Sequence, residues 1–212
     1  MLVVLLTRII PNSASNHLTE LSYLCSSRQT YICRSRNMTM NLLDKFARIK
    51  TFVFDVDGVL TDGTLLILED GQMARMMNIK DGYALQLALK MGYNVLIISG
   101  GHSETVRERL NKLGVKDVFL KVHDKRAVLL QYLEEKQLLV EEALFMGDDI
   151  PDYDVMRLGL LPCAPADAAS EILGISEYIS PIKRGSGCAR DVIEKVLKSR
   201  GDWPIETSIP SK

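Results

Sequence analysis

Residues 51–63, TFVFDVDGVLTDG, decide how the chain is read. A run as apolar as Thr51-Phe52-Val53-Phe54 stops at two carboxylates, Asp55 and Asp57, spaced two apart. An apolar run cut off in this way is what a buried strand looks like when its end supplies polar groups to a crevice. Along an extended backbone, residues two apart project to the same side, which places Asp57 beside Asp55.

Working outward, short β-branched and aromatic runs alternate with helical periodicity. Strands are predicted at 51–54, 94–98, 118–122 and 143–146, and helices at 82–91, 103–113, 125–138, 151–158 and 189–198. Strands that are apolar on both faces and separated by single helices predict a doubly wound, Rossmann-like α/β fold on a parallel sheet. Gly92, Gly114 and Gly159 stand where left-handed helix caps are needed, and Ser103 is an N-cap candidate. In 103–113, Val106, Leu110 and Leu113 share one face, so Arg107, Glu108, Arg109 and Lys112 form a solvated face rather than a binding patch.

Residues 64–79 break the alternation. They read as a β-hairpin inserted after the first strand, with Asp70-Gly71 suited to a two-residue type I′ turn, and no large cap domain is expected. Leu65, Leu66, Ile67 and Leu68 are apolar on both faces of the first arm, which predicts cover from a neighbouring subunit in preference to cover by the N-terminal extension.

The composition sets outer bounds. The chain has 212 residues, 47% hydrophobic and 25% charged, a globular mixture; 26 Lys plus Arg against 27 Asp plus Glu leave no nucleic-acid footprint. Cys25, Cys33, Cys163 and Cys188 form no CxxC pair and His17, His102 and His123 are scattered, so zinc spacing is absent. No apolar run reaches the ~18 residues of a membrane span, and a soluble, cytoplasmic protein is expected. Residues 1–40 differ: Glu20 is their one acid, and Arg8, Arg28, Arg34 and Arg36 are their basic residues. With Met38 and Met40 just before the patterned part, residues 1–40 are read as a disordered or non-native extension rather than an organelle leader, and 41–212 as the domain.

In a doubly wound fold, ligands bind at the carboxyl ends of the strands. Asp55 and Asp57 follow the first predicted strand, Ser99-Gly100-Gly101 the second, Asp124-Lys125 the third, and Gly147-Asp148-Asp149 the fourth. Each alone is ordinary: Ser-Gly-Gly is a turn, Lys125 a solvent-exposed lysine, Gly-Asp-Asp a helix start. Together, at the same end of every strand, they predict a site. Several carboxylates without histidine or thiolate suit Mg²⁺, and Mg²⁺ works with phosphates. Attack by a carboxylate on a phosphate monoester brings like charges together, about 4 kcal/mol per pair at 4 Å and an effective dielectric of 20. A divalent cation and a lysine offset that repulsion, and a second aspartate can carry the proton that an alkoxide leaving group needs.

DVDGVLTDG, IISGG, DK and GDDIPD, in that order, resemble the four motifs of the haloacid dehalogenase superfamily of phosphohydrolases. Together with the hairpin, NIKDG, MGDDIPDYDVM and GSGCARDVIEKVL, they resemble its small capless branch over roughly residues 50–200. The resemblance implies a Mg²⁺-dependent phosphatase with Asp55 as nucleophile and Asp57 as acid/base. The ion would be held by the Asp55 carboxylate, the Asp57 backbone carbonyl and Asp148, with Asp149 and Asp152 supporting it or orienting Lys125. Ser99, Gly100 and Lys125 would bind the phosphoryl group, and Lys80 and Arg190 the sugar acid. The resemblance also implies a homotetramer joined through the 64–79 hairpin. The implied substrate is 3-deoxy-D-manno-octulosonate 8-phosphate, in lipopolysaccharide precursor synthesis, with a nine-carbon sialic-acid-type 9-phosphate as the alternative. Two departures bear on the substrate: Gly101 stands where members often carry a long charged side chain, and Arg184 where glycine is frequent. A non-catalytic receiver-like or scaffold domain is the alternative of another class; the Asp-x-Asp spacing on the first strand speaks against a receiver.

Overall fold

The computed structural model describes residues 40–209, so the expectations for residues 1–39 lie outside the described residues. Helix α1 (Leu42–Arg48) leads into β1 (Thr51–Phe54), a hairpin of β2 (Leu66–Ile67) and β3 (Met73–Ala74), and helix α2 (Ile79–Lys90). Then come β4 (Asn94–Ile98), α3 (Glu104–Lys112), β5 (Asp117–Phe119), α4 (Lys125–Glu135) and β6 (Ala143–Met146). The chain finishes with α5 (Tyr153–Met156), β7 (Leu161–Ala164), α6 (Ser170–Ile175), β8 (Tyr178–Ile179) and α7 (Cys188–Arg200).

The main sheet has six strands in the order β5-β4-β1-β6-β7-β8, and every neighbouring pair is parallel. The chain winds outward from β1 to β4 and β5, then crosses back to β6 on the other side of β1. That reversal puts the ends of β1, β4 and β6 side by side. Period-two alternation divides the core between two faces. Phe52, Phe54, Ile97, Leu144 and Met146 pack with residues of α2, α3 and α7, including Leu85, Leu110 and Val192. Val53, Leu96, Ile98 and Phe145 pack with residues of α4, α5 and α6, including Leu129, Val155 and Ile172. Both faces are covered, which is why these strands read as unbroken apolar runs.

Several expectations change in detail. The strand expected at 118–122 ends at Phe119, because Lys121 takes a φ of 58° and the next bonds turn sideways. The Lys121 and Val122 amides donate to the Gly101 and Ser99 carbonyls, both at 3.0 Å, and so clamp the turn after β4. The helix expected to Leu138 ends at Glu135, ahead of Gln137 at φ 55°. The hairpin turn is not the two-residue type I′ form. Leu68 N–H donates to Gln72 at 2.8 Å around a three-residue loop, Gly71 N–H donates to Leu68, and only Gly71 there has a positive φ, 82°. A type I′ turn needs positive φ at both central residues, and Asp70 does not take it. The apolar hairpin arm is exposed, with Leu66 at 62% and Ile67 at 69%. No described helix is long and apolar enough to cross a membrane.

Candidate active site

The end of β1 is where the site begins. Asp55 continues the strand in extended conformation, and Gly58 turns the chain with a φ of 97°. Gly58 is required twice over, since a Cβ there would also lie 2.0 Å from Asp148 Oδ2. Asp148 follows β6 across the same gap. Gly147, just before it, leaves room for Asp152, whose carboxylate would stand 2.5 Å from a Cβ at that position. Asp152 Oδ2 accepts from the Asp148 amide at 3.1 Å, and Oδ1 accepts from Lys125 Nζ at 2.7 Å. Lys125 is held at the first position of α4 by Asp124, whose side chain caps the helix through the Ala127 amide.

Lys125 Nζ also lies 3.0 Å from Asp55 Oδ1. That contact is an ion pair without hydrogen-bond alignment, so Oδ1 is a buried carboxylate oxygen lacking a hydrogen-bond donor. Ser99 is buried at the end of β4, where its Oγ accepts from the Gly101 amide at 3.1 Å. The four turns meet in one open cleft of about 880 Å³. Asp55, Asp57, Ser99 and Gly100 line it from one side, and Lys125, Asp148, Asp149 and Asp152 from the other.

Charge inside the cleft is unbalanced. Asp55, Asp148 and Asp152 each offer an oxygen, all within 4.8 Å of one another. At that spacing a pair of carboxylates repels by about 3.5 kcal/mol at an effective dielectric of 20. Burial, then the charge of Asp152, push Asp55 up to about 7 despite Lys125. Burial and Asp152 likewise raise Asp148 to about 6, with Arg184 pulling the other way. Burial alone would lower Lys125, but Asp55 and Asp152 outweigh it and raise it. An all-oxygen set, one lysine short of neutrality and with a buried oxygen lacking a hydrogen bond, fits a hard divalent cation.

Two expected site residues lie elsewhere. Lys80 is exposed in the first turn of α2, and Arg190 on α7 lies over the Tyr83 and Trp203 rings at 5.5 and 5.2 Å. Neither lines the cleft of its own chain. Two arginines that the residue pattern did not assign do reach the acids. Arg184 Nη1 donates to Asp148 Oδ2 at 3.2 Å while its backbone amide is fixed by Asp167 at 2.9 Å. Arg75, from the hairpin, donates to both oxygens of Asp57. The place of Arg184 as a departure from the expected glycine was its one signal; Arg75 had none.

No protein-family model matches the chain. The 3-deoxy-D-manno-octulosonate 8-phosphate phosphatase of Yersinia pestis is 30% identical over 157 residues, 74% of this chain and 84% of that protein. The chain belongs to the 3-deoxy-D-manno-octulosonate 8-phosphate phosphatase family of the haloacid dehalogenase superfamily. It is accordingly a phosphoric monoester hydrolase, which sets aside the receiver and scaffold alternatives. Among solved structures, a probable phosphatase from Pseudomonas syringae is 38% identical with a TM-score of 0.73, covering 76% of this chain and 91% of that one. The family's enzyme from Moraxella catarrhalis, in complex with a magnesium ion, a phosphate ion and a KDO molecule, is 28% identical. Its TM-score is also 0.73, over 76% of this chain and 92% of that one. These folds bear out the doubly wound sheet without a large cap.

Proposed function

We propose that the protein hydrolyses 3-deoxy-D-manno-octulosonate 8-phosphate to the free sugar acid and phosphate, through an aspartyl-phosphate on Asp55, with Mg²⁺. The observation that carries this is Asp55 itself: a buried carboxylate at a strand end, 3.0 Å from a buried lysine and facing two further carboxylates. A family member with magnesium, phosphate and KDO in one complex supports the same chemistry.

In this scheme an Asp55 oxygen attacks phosphorus as the bond from phosphorus to the sugar oxygen breaks, and Asp57 gives that oxygen its proton. Asp57 then takes a proton from water, whose oxygen attacks phosphorus, releasing phosphate and restoring the Asp55 carboxylate. Ser99, the Gly100 backbone and Lys125 hold the phosphoryl oxygens, and Lys125 supplies positive charge where negative charge gathers. Asp152 orients Lys125 and Asp148 through the two hydrogen bonds it accepts. The Asp55 carboxylate, the Asp57 carbonyl and Asp148 would hold Mg²⁺, with Asp149 supporting its waters; when bound, the ion screens the carboxylate from the phosphoryl group.

The exposed Leu66, Ile67, Met73 and Met76 support assembly through the hairpin, proposed to be a homotetramer. Lys80 and Arg190 would meet the sugar acid of a neighbouring subunit in that assembly. The proposed setting is cytoplasmic lipopolysaccharide precursor synthesis. The test compares kcat/KM for the eight-carbon 8-phosphate and a nine-carbon sialic-acid-type 9-phosphate, with and without Mg²⁺. Preference for the first is expected; preference for the second, or turnover of neither, would overturn the assignment.

A further inference from the structure

The hairpin carries a charge that the reaction scheme leaves unused. Met73 and Met76 are 50% and 71% exposed, yet the side chain of Arg75 between them is only 6% exposed. It turns inward and forks onto Asp57: Nε donates to Oδ1 at 2.7 Å and Nη2 to Oδ2 at 3.1 Å. Its Nη1 donates to the Met73 carbonyl at 3.2 Å, which braces the guanidinium against its own strand. Bidentate charge-assisted pairs fix geometry as well as adding energy, because two parallel bonds set the plane of the carboxylate.

Asp57 needs such fixing. It sits in the turn after β1, and its other side-chain contact, with Thr61 Oγ1, is long at 3.4 Å. Gly101 makes the fork possible from the opposite side. A Cβ at Gly101 would lie 2.7 Å from Asp57 Oδ2 and 3.4 Å from Arg75 Nη2. Its φ is not positive, so the backbone would accept alanine and the space would not.

We infer that Arg75 is a positioning residue for proton transfer: it holds Asp57 by Oδ1 so that Oδ2, on the Gly101 side, exchanges the proton with the leaving oxygen. The inference rests on the role proposed for Asp57. It makes the hairpin part of the catalytic apparatus of its own chain, and not only a docking surface.

The test uses two esters in single-turnover cleavage by the full chain with Mg²⁺. An alkyl phosphate expels an alkoxide that needs a proton, whereas p-nitrophenyl phosphate expels a stable phenolate that does not. Arg75→Met is expected to slow cleavage of the alkyl ester by at least about 30-fold and of the p-nitrophenyl ester by less than about 3-fold, with KM little changed. Arg75→Lys should recover part of the loss, and Gly101→Ala should reproduce the split with Arg75 in place. Equal slowing of both esters in folded variants, or a rise in KM at constant kcat, would overturn the inference. If Arg75→Met does not fold, the split in Gly101→Ala decides. A wild-type protein that cleaves neither ester defeats the phosphatase scheme itself; one that cleaves both, with no split in the variants, defeats only the role given to Arg75.

Discussion

Asp55, Lys125, Asp148 and Asp152 are charged and buried, whereas Leu66, Ile67, Met73 and Met76 are apolar and exposed. Both regions invert the usual placement, and they do so for different reasons. In the cleft each charge meets a group of opposite sign or a hydrogen bond from the same chain, leaving only a demand for more positive charge. The hairpin's outer face asks for apolar cover, and its strands of two residues each are too short to be stable as a free ribbon. The first inversion points to chemistry and the second to assembly.

The largest expected effect breaks the cleft alone. Asp55→Asn should cut phosphate release by at least ~10⁴-fold, since nucleophile removal in hydrolases costs that much or more, while circular dichroism and assembly stay unchanged. Turnover near the wild-type level would remove Asp55 from the role of nucleophile. Next, Lys125→Met leaves buried carboxylates without their cation. In chelator, urea unfolding should show a loss of about 3–5 kcal/mol, and added Mg²⁺ should restore part of it. A variant indifferent to Mg²⁺ would show that the carboxylates do not form the metal site.

The converse experiment leaves the cleft intact. Ile67→Glu places a charge in the exposed patch, and sedimentation should then show a smaller species with the same far-ultraviolet spectrum. An unchanged mass would move the subunit interface away from the hairpin.

The smallest effect sharpens the contrast at Asp81, which is as buried as the cleft acids but lacks their compensation. Its Oδ1 accepts from the Arg190 amide at 2.7 Å, and its Oδ2 has no hydrogen-bond partner. Burial raises it from 3.8 to about 6. A raised acid holds its proton longer in the folded state, so its stabilising contribution is complete below about pH 4 and is lost as pH rises through about 6. Asp81→Asn cannot ionise, so it should lose less stability than wild type between pH 4.5 and 7.5, by on the order of 2 kcal/mol. Parallel urea curves for the two proteins would contradict this.

Much of the site was legible because its acids interrupt doubly buried strands. β1, β4 and β6 are apolar on both faces, so Asp55, Ser99 and Asp148 stand out at their ends. β7 was not legible: Pro162 argues against a strand in the middle of a sheet, and Leu161-Pro-Cys-Ala is too short to show a period. β8 has only two residues, and α1 and α6 only seven and six. The hairpin was visible but its turn was not, because an Asp-Gly pair serves two-residue and three-residue loops alike. Arg75 and Arg184 stayed hidden for another reason. An arginine on a strand or in a loop carries no local mark of the carboxylate it will meet, and both partners here come from distant turns.

Gly58 and Asp148 meet with no space for a methyl group between them, although β4 and β5 and the helices beside them lie between the two in the chain. A chain emerging from the ribosome therefore makes its nucleophile early and its charge-holding partners late. Until β6 docks beside β1, Asp55 has neither Asp148 nor Asp152 near it, and the turn at Gly58 has nothing to close upon. The order of synthesis thus ties activity to completion of the sheet's centre: a nascent or truncated chain lacking β6 carries the first motif intact and is catalytically silent.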